Sequence, residues 1–111
     1  MDKNDILEKA KSIINGERKG TYGKAEDNFS VIAQMWTAYL GQDITSADVA
    51  NMMILMKVSR NSSGVYKDDN WIDICGYAAL GGEIQDKYCE TENVLVMKKL
   101  EKERGKWLWK N

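Results

Sequence analysis

The chain has no histidine and no proline among its 111 residues. Without histidine, His-ligated zinc, Ser-His and Cys-His nucleophilic pairs and imidazole acid–base chemistry are all excluded. Average usage would place roughly five prolines in such a chain, so their absence favours uninterrupted helices. Cysteine is scarce: Cys75 and Cys89 are too few for a disulfide framework or a zinc site. Cys75 falls in an apolar helical stretch and reads as a reduced packing residue. No apolar run approaches the roughly 18 residues of a membrane span, and the N-terminal stretch has no signal-peptide pattern. The expected location is therefore cytoplasmic, away from the membrane. A formal net charge of −1 lacks the basic excess that nonspecific nucleic-acid binding requires.

What is present is an ordinary globular balance of 43% hydrophobic and 30% charged residues, enough for one core. Helical spacing recurs along the chain and no strand alternation interrupts it, which predicts an all-α bundle of four to five helices. The first runs from about Asn4 to Asn15, with Ile6, Leu7, Ala10, Ile13 and Ile14 on one face and Gly16 ending it. The second runs from about Lys24 to Leu40, on the stripe Phe29, Ile32, Ala33, Trp36, Tyr39 and Leu40, with Gly41 as its C-cap. Thr45-Ser-Ala-Asp48 matches a capping box and opens a third helix to about Arg60. Val49 to Val58 is apolar nearly all round, which predicts a central helix, and the six methionines, three of them in this stretch, read as core residues. A fourth helix starts near Asp68 or Asp69 and runs through Ile84 towards Lys87. Its Gly76, Gly81 and Gly82 predict close helix packing or close approach of a ligand. Residues 1–90 read as a helical core domain. Residues 91–111 read as a basic fifth segment whose Trp107 and Trp109 pack on the core or on a partner.

Asp69 and Asp73 lie four apart at the start of the fourth helix and share one face, which Tyr77 continues. Buried carboxylates need a cation or hydrogen-bond donors. Such a face is either a polar network or a seat for Mg²⁺, which takes one or two protein carboxylates and completes its shell with phosphate and water. Helix capping by Asp68 or Asp69 is the alternative for the first of the pair. Lys57 and Arg60 point roughly one way on the third helix. A helical hairpin brings them near the acids, either to pair with them or to hold phosphates, unless they only complement the helix C-terminus. Arg18, Lys19 and Tyr22 stand in a basic, glycine-containing loop that feeds a helix N-terminus, a place suited to an anion or simply a solvated loop. Glu26, four residues after Tyr22, is a candidate third carboxylate for the metal.

Three blocks resemble a small family of phage and prophage proteins: Arg18-Lys-Gly-Thr-Tyr-Gly23 with Asn28-Phe29; Asp48 to Lys57 with Arg60; and Lys67 to Tyr77. More distantly, the plan resembles the MazG-like all-α nucleoside triphosphate pyrophosphohydrolases. That resemblance implies a nucleotide ligand, Mg²⁺ held by Asp69 and Asp73 with these two as the catalytic acids, and a dimer or tetramer. The family's first acidic helix carries Glu-x-x-Glu, whereas this chain offers Asp48, Lys57 and Arg60. Two further roles therefore stay open beside hydrolysis: a phage accessory protein that sequesters a nucleotide, and a structural or protein-binding helical domain.

Overall fold

A computed structural model describes residues 1–16, 24–89 and 102–103. Four helices form the bundle: α1 (Lys3–Asn15), α2 (Ala25–Leu40), α3 (Ser46–Asn61) and α4 (Asp68–Cys89), with no strand among the described residues. Of the fifth segment the description covers Lys102 and Glu103, both helical. No helix among the described residues is long and apolar enough to cross a membrane.

The helix starts follow local chemistry. Thr45 accepts the Asp48 N–H at 3.0 Å while Asp48 accepts the Thr45 N–H at 2.9 Å, which completes the predicted capping box. A second box, Asp2 with Asp5, opens α1 one residue earlier than its apolar spacing suggests. Gly41 ends α2 at φ 66°, a left-handed position that glycine adopts without a Cβ clash, and its N–H donates to the Thr37 carbonyl. The Thr37 hydroxyl then bridges to both backbone groups of Ile44, fixing the tight turn into α3.

The two longest contacts of α4 organise the bundle: it packs chiefly on α3 and then on α1, while α2 packs on α3 and touches α4 lightly. Phe29, Ala33, Val49, Ala50, Tyr77 and Ile84 form the core, with Ile32, Trp36, Met53 and Leu80 packed around it. The glycines show why α3 and α1 each lie close to α4. A methyl group on Gly81 would stand 2.8 Å from Ala50 Cβ, and one on Gly76 would stand 3.3 Å from an Ile14 methyl. Gly82 faces open space, so close packing accounts for two of the three glycines.

One expectation fails. α3 is not surrounded by core: its buried residues are Ser46, Val49 and Ala50, whereas Met52, Leu55, Met56 and Val58 are exposed. Among the described residues, α3 has helix neighbours on two sides, α2 and α4, and the rest of its all-round apolar sequence lies outside those contacts. The same holds for the end of the α2 stripe, where Tyr39 is 89% exposed.

Candidate functional site

α1, the start of α2 and α4 enclose a cavity of about 230 Å³. Its apolar wall includes Ile14, Phe29, Ile72 and Ile84. Its polar groups are Asn15, Lys24, Glu26, Asn28, Asp73, Glu83 and Lys87. The ring of Tyr77 lines it and is tilted 35° against Phe29 with centroids 6.2 Å apart, so the aromatic wall is itself part of the core. Polar and apolar groups share the lining about evenly, so the concavity is more polar than the usual small-molecule site. The volume lies just under the roughly 300–1,000 Å³ typical of such sites, enough for a planar ring but not for a whole nucleotide.

The structure separates the two aspartates. α4 begins at Asp68, so Asp68 and Asp69 occupy its first turn, where the helix dipole favours acids. Asp69 is exposed and does not line the cavity, and Asp68 accepts the Tyr66 hydroxyl. That bond, with some burial and the Asp68 charge, raises the Tyr66 pKa. Asp73 sits a full turn inside. Its Oδ2 is 2.7 Å from Lys57 Nζ, with the two side chains 24% and 12% exposed. The α3–α4 hairpin thus brings Lys57 to Asp73 as its sequence position suggests, whereas Arg60 remains exposed in the last turn of α3.

Glu26 has a partner that local reading missed. Lys87, 61 residues away on α4, donates to its Oε2 at 2.8 Å. The hydrogen bond and the charge of Glu26 raise the Lys87 pKa above 10.5, so the ammonium stays charged at the cavity rim. No spacing rule marks so distant a pair. Lys24, Asn28 and Glu83 likewise join the wall only through the fold. Arg18, Lys19 and Tyr22 lie outside the described residues.

Mg²⁺ seeks carboxylate oxygens that are free to coordinate it. Among the described residues no three His, Cys, Asp or Glu side chains are placed to share a metal ion. Asp73 and Glu26 each hold a lysine instead. Among the described residues, then, no ready-made metal centre is placed.

Residues 5–85 match the family described as a domain of unknown function, DUF6378, and the chain belongs to that family. It is similar to the Gene 55 protein of Mycobacterium phage D29, with 41% identity over 87 residues, 78% of this chain and 58% of the relative. It is also similar to the Gene 55 protein of Mycobacterium phage L5, with 44% identity over 81 residues, 72% of this chain and 52% of the relative. The chain thus spans a little over half the length of these phage relatives. No solved structure matches it.

Proposed function

We propose that this phage-type protein binds a nucleotide, with the base in the cavity between α1, α2 and α4 and the phosphates at its charged rim. The observation that carries the reading is the cavity itself: apolar and aromatic side chains bordered by Lys24 and by the amide side chains of Asn15 and Asn28. A base needs a dry, ring-sized slot with a few hydrogen-bonding groups, and phosphates need cations near a helix N-terminus. Lys24 is the N-cap residue of α2, so free backbone N–H groups lie beside it. Arg18, Lys19 and Tyr22, in the basic stretch that the sequence offers as an anion seat, are further phosphate candidates in this reading. Arg60, exposed at the end of α3, is a weaker phosphate candidate.

Capture without turnover is favoured over hydrolysis. In-line attack by a metal-bound water needs carboxylates available to hold the metal. Here Asp73 is neutralised by Lys57 and Glu26 by Lys87, and Asp69 stands apart from the cavity. A pyrophosphohydrolase of the MazG-like kind remains the second reading, supported by the position of Asp73 at the cavity wall.

Calorimetric titration with single nucleotides, with and without Mg²⁺, tests the proposal. Ala25 is half-buried and lines the cavity, so Ala25→Trp would fill it. Heat of binding in the wild type that disappears in Ala25→Trp, at unchanged helicity, is the expected result. Binding that survives the filled cavity would place the ligand elsewhere.

A further inference from the structure

The polar groups of the cavity are unevenly divided between donors and acceptors. Three carboxylates line it, Glu26, Asp73 and Glu83, against two lysines, Lys24 and Lys87. Lys87 already donates to Glu26 Oε2. Asn15 turns its amide nitrogen back onto the Lys11 carbonyl at 3.0 Å, which leaves its side-chain oxygen to accept. Glu26 and Glu83 reach water, the first with 40% of its side chain exposed and the second in the exposed class. Asp73 is the most withdrawn of the three, with 24% of its side chain exposed. Lys57, which stands behind it on α3 and does not line the cavity, holds its Oδ2 at 2.7 Å. A carboxylate has about four lone-pair sites, and one lysine occupies one of them. The rest are left to whatever enters the cavity, and an acceptor withdrawn from water favours an occupant that donates to it.

We infer, resting on the nucleotide reading above, that Asp73 selects a guanine base by accepting its N1–H and its 2-amino group. Among the common bases guanine alone sets two donors side by side on its Watson–Crick edge. Adenine and cytosine each place one amino group beside a ring nitrogen that is itself an acceptor, so lone pairs would oppose the carboxylate. Uracil and thymine hold a single N–H between two carbonyl oxygens, which is worse. A base taken singly into a pocket is read through this edge while its faces lie on aromatic and apolar side chains. Tyr77, one turn after Asp73, and Ile14, against Gly76 on α1, supply such surfaces. Lys57 is then a positioning residue: it fixes the carboxylate before the ligand arrives, so that both oxygens meet the base together.

Calorimetric titration of the full chain with the monophosphates of guanosine, inosine, adenosine, cytidine and uridine is the test, since all five share one ribose and phosphate. Guanosine monophosphate should bind tightest, by roughly 10- to 100-fold over adenosine monophosphate, the scale of hydrogen bonds to a charged group. Inosine monophosphate keeps N1–H and lacks the 2-amino group, and should fall between them. Asp73→Asn replaces one acceptor by a donor and should bring the five affinities together in the folded variant. Five equal wild-type affinities overturn the inference and leave nucleotide binding standing, as does a preference for any other base. A guanine preference that persists in Asp73→Asn overturns the role of Asp73. Should that variant fail to fold, the order guanosine, inosine, adenosine in the wild type decides alone. A wild type that binds none of the five overturns the nucleotide reading itself, and this inference with it.

Discussion

The two sides of α3 have nearly the same sequence character and opposite fates. The inner side carries Val49, Ala50 and Lys57 against α4, with Val49 fully buried and Lys57 held by Asp73. The outer side carries Met52, Leu55 and Met56 and is left in solvent. Hydrophobicity alone does not choose between them. The choice is made by small residues and one ion pair: Gly81 lets α4 approach Ala50, and Asp73 gives the mostly buried Lys57 a partner. Large flexible side chains fill whichever arc remains.

That comparison can be broken from the inside, with the largest effects first. Phe29→Ala removes a buried ring that packs on Tyr77 and should destabilise the fold by about 3–5 kcal/mol in urea melts. Asp73→Asn leaves Lys57 mostly buried without a countercharge and should cost about 2–4 kcal/mol. If Asp73 instead served only a ligand, the same substitution would leave the urea midpoint unmoved. Gly81→Ala forces a methyl against Ala50 that neither side can yield, for a loss of about 1–3 kcal/mol. Gly82→Ala, one residue on, meets nothing and should stabilise by about 0.5–1 kcal/mol through helix propensity. Opposite signs at adjacent glycines would sharpen the contrast between the packed and open arcs of α4, and equal signs would dissolve it.

The smallest effect lies at the rim. Because the folded Lys87 pKa is raised, the contribution of its pair with Glu26 is complete below 10.5 and is lost only as pH rises through the raised value. Thermal melts of Lys87→Gln and wild type should therefore differ by a small constant amount through neutral and mildly alkaline pH, and converge in strong alkali.

Much of the frame was legible locally. The Thr45 capping box, the Gly41 C-cap, the α4 start and the approach of Lys57 to Asp73 all rest on residues within a few turns of one another. Three features were not. Asp69 and Asp73 share a stripe, yet helix polarity separates a first-turn acid in solvent from an inner acid with a partner. Glu26 and Lys87 are joined only by the bundle, across 61 positions. The depth of α3 depends on how many neighbours the bundle supplies, which a single-helix pattern cannot carry. The cavity is of this last kind: its wall comes from three helices, and half of its polar groups have no local motif.

The central claim, capture of a nucleotide in that cavity, has a direct chromatographic test. The full chain is incubated with Mg²⁺ and a mixed pool of nucleoside and deoxynucleoside triphosphates, separated from unbound nucleotide, and both fractions are resolved. The account predicts one intact nucleotide co-eluting with the protein, absent from the Ala25→Trp fraction. Monophosphate with pyrophosphate would instead establish turnover, and a pool neither retained nor altered would contradict nucleotide binding altogether.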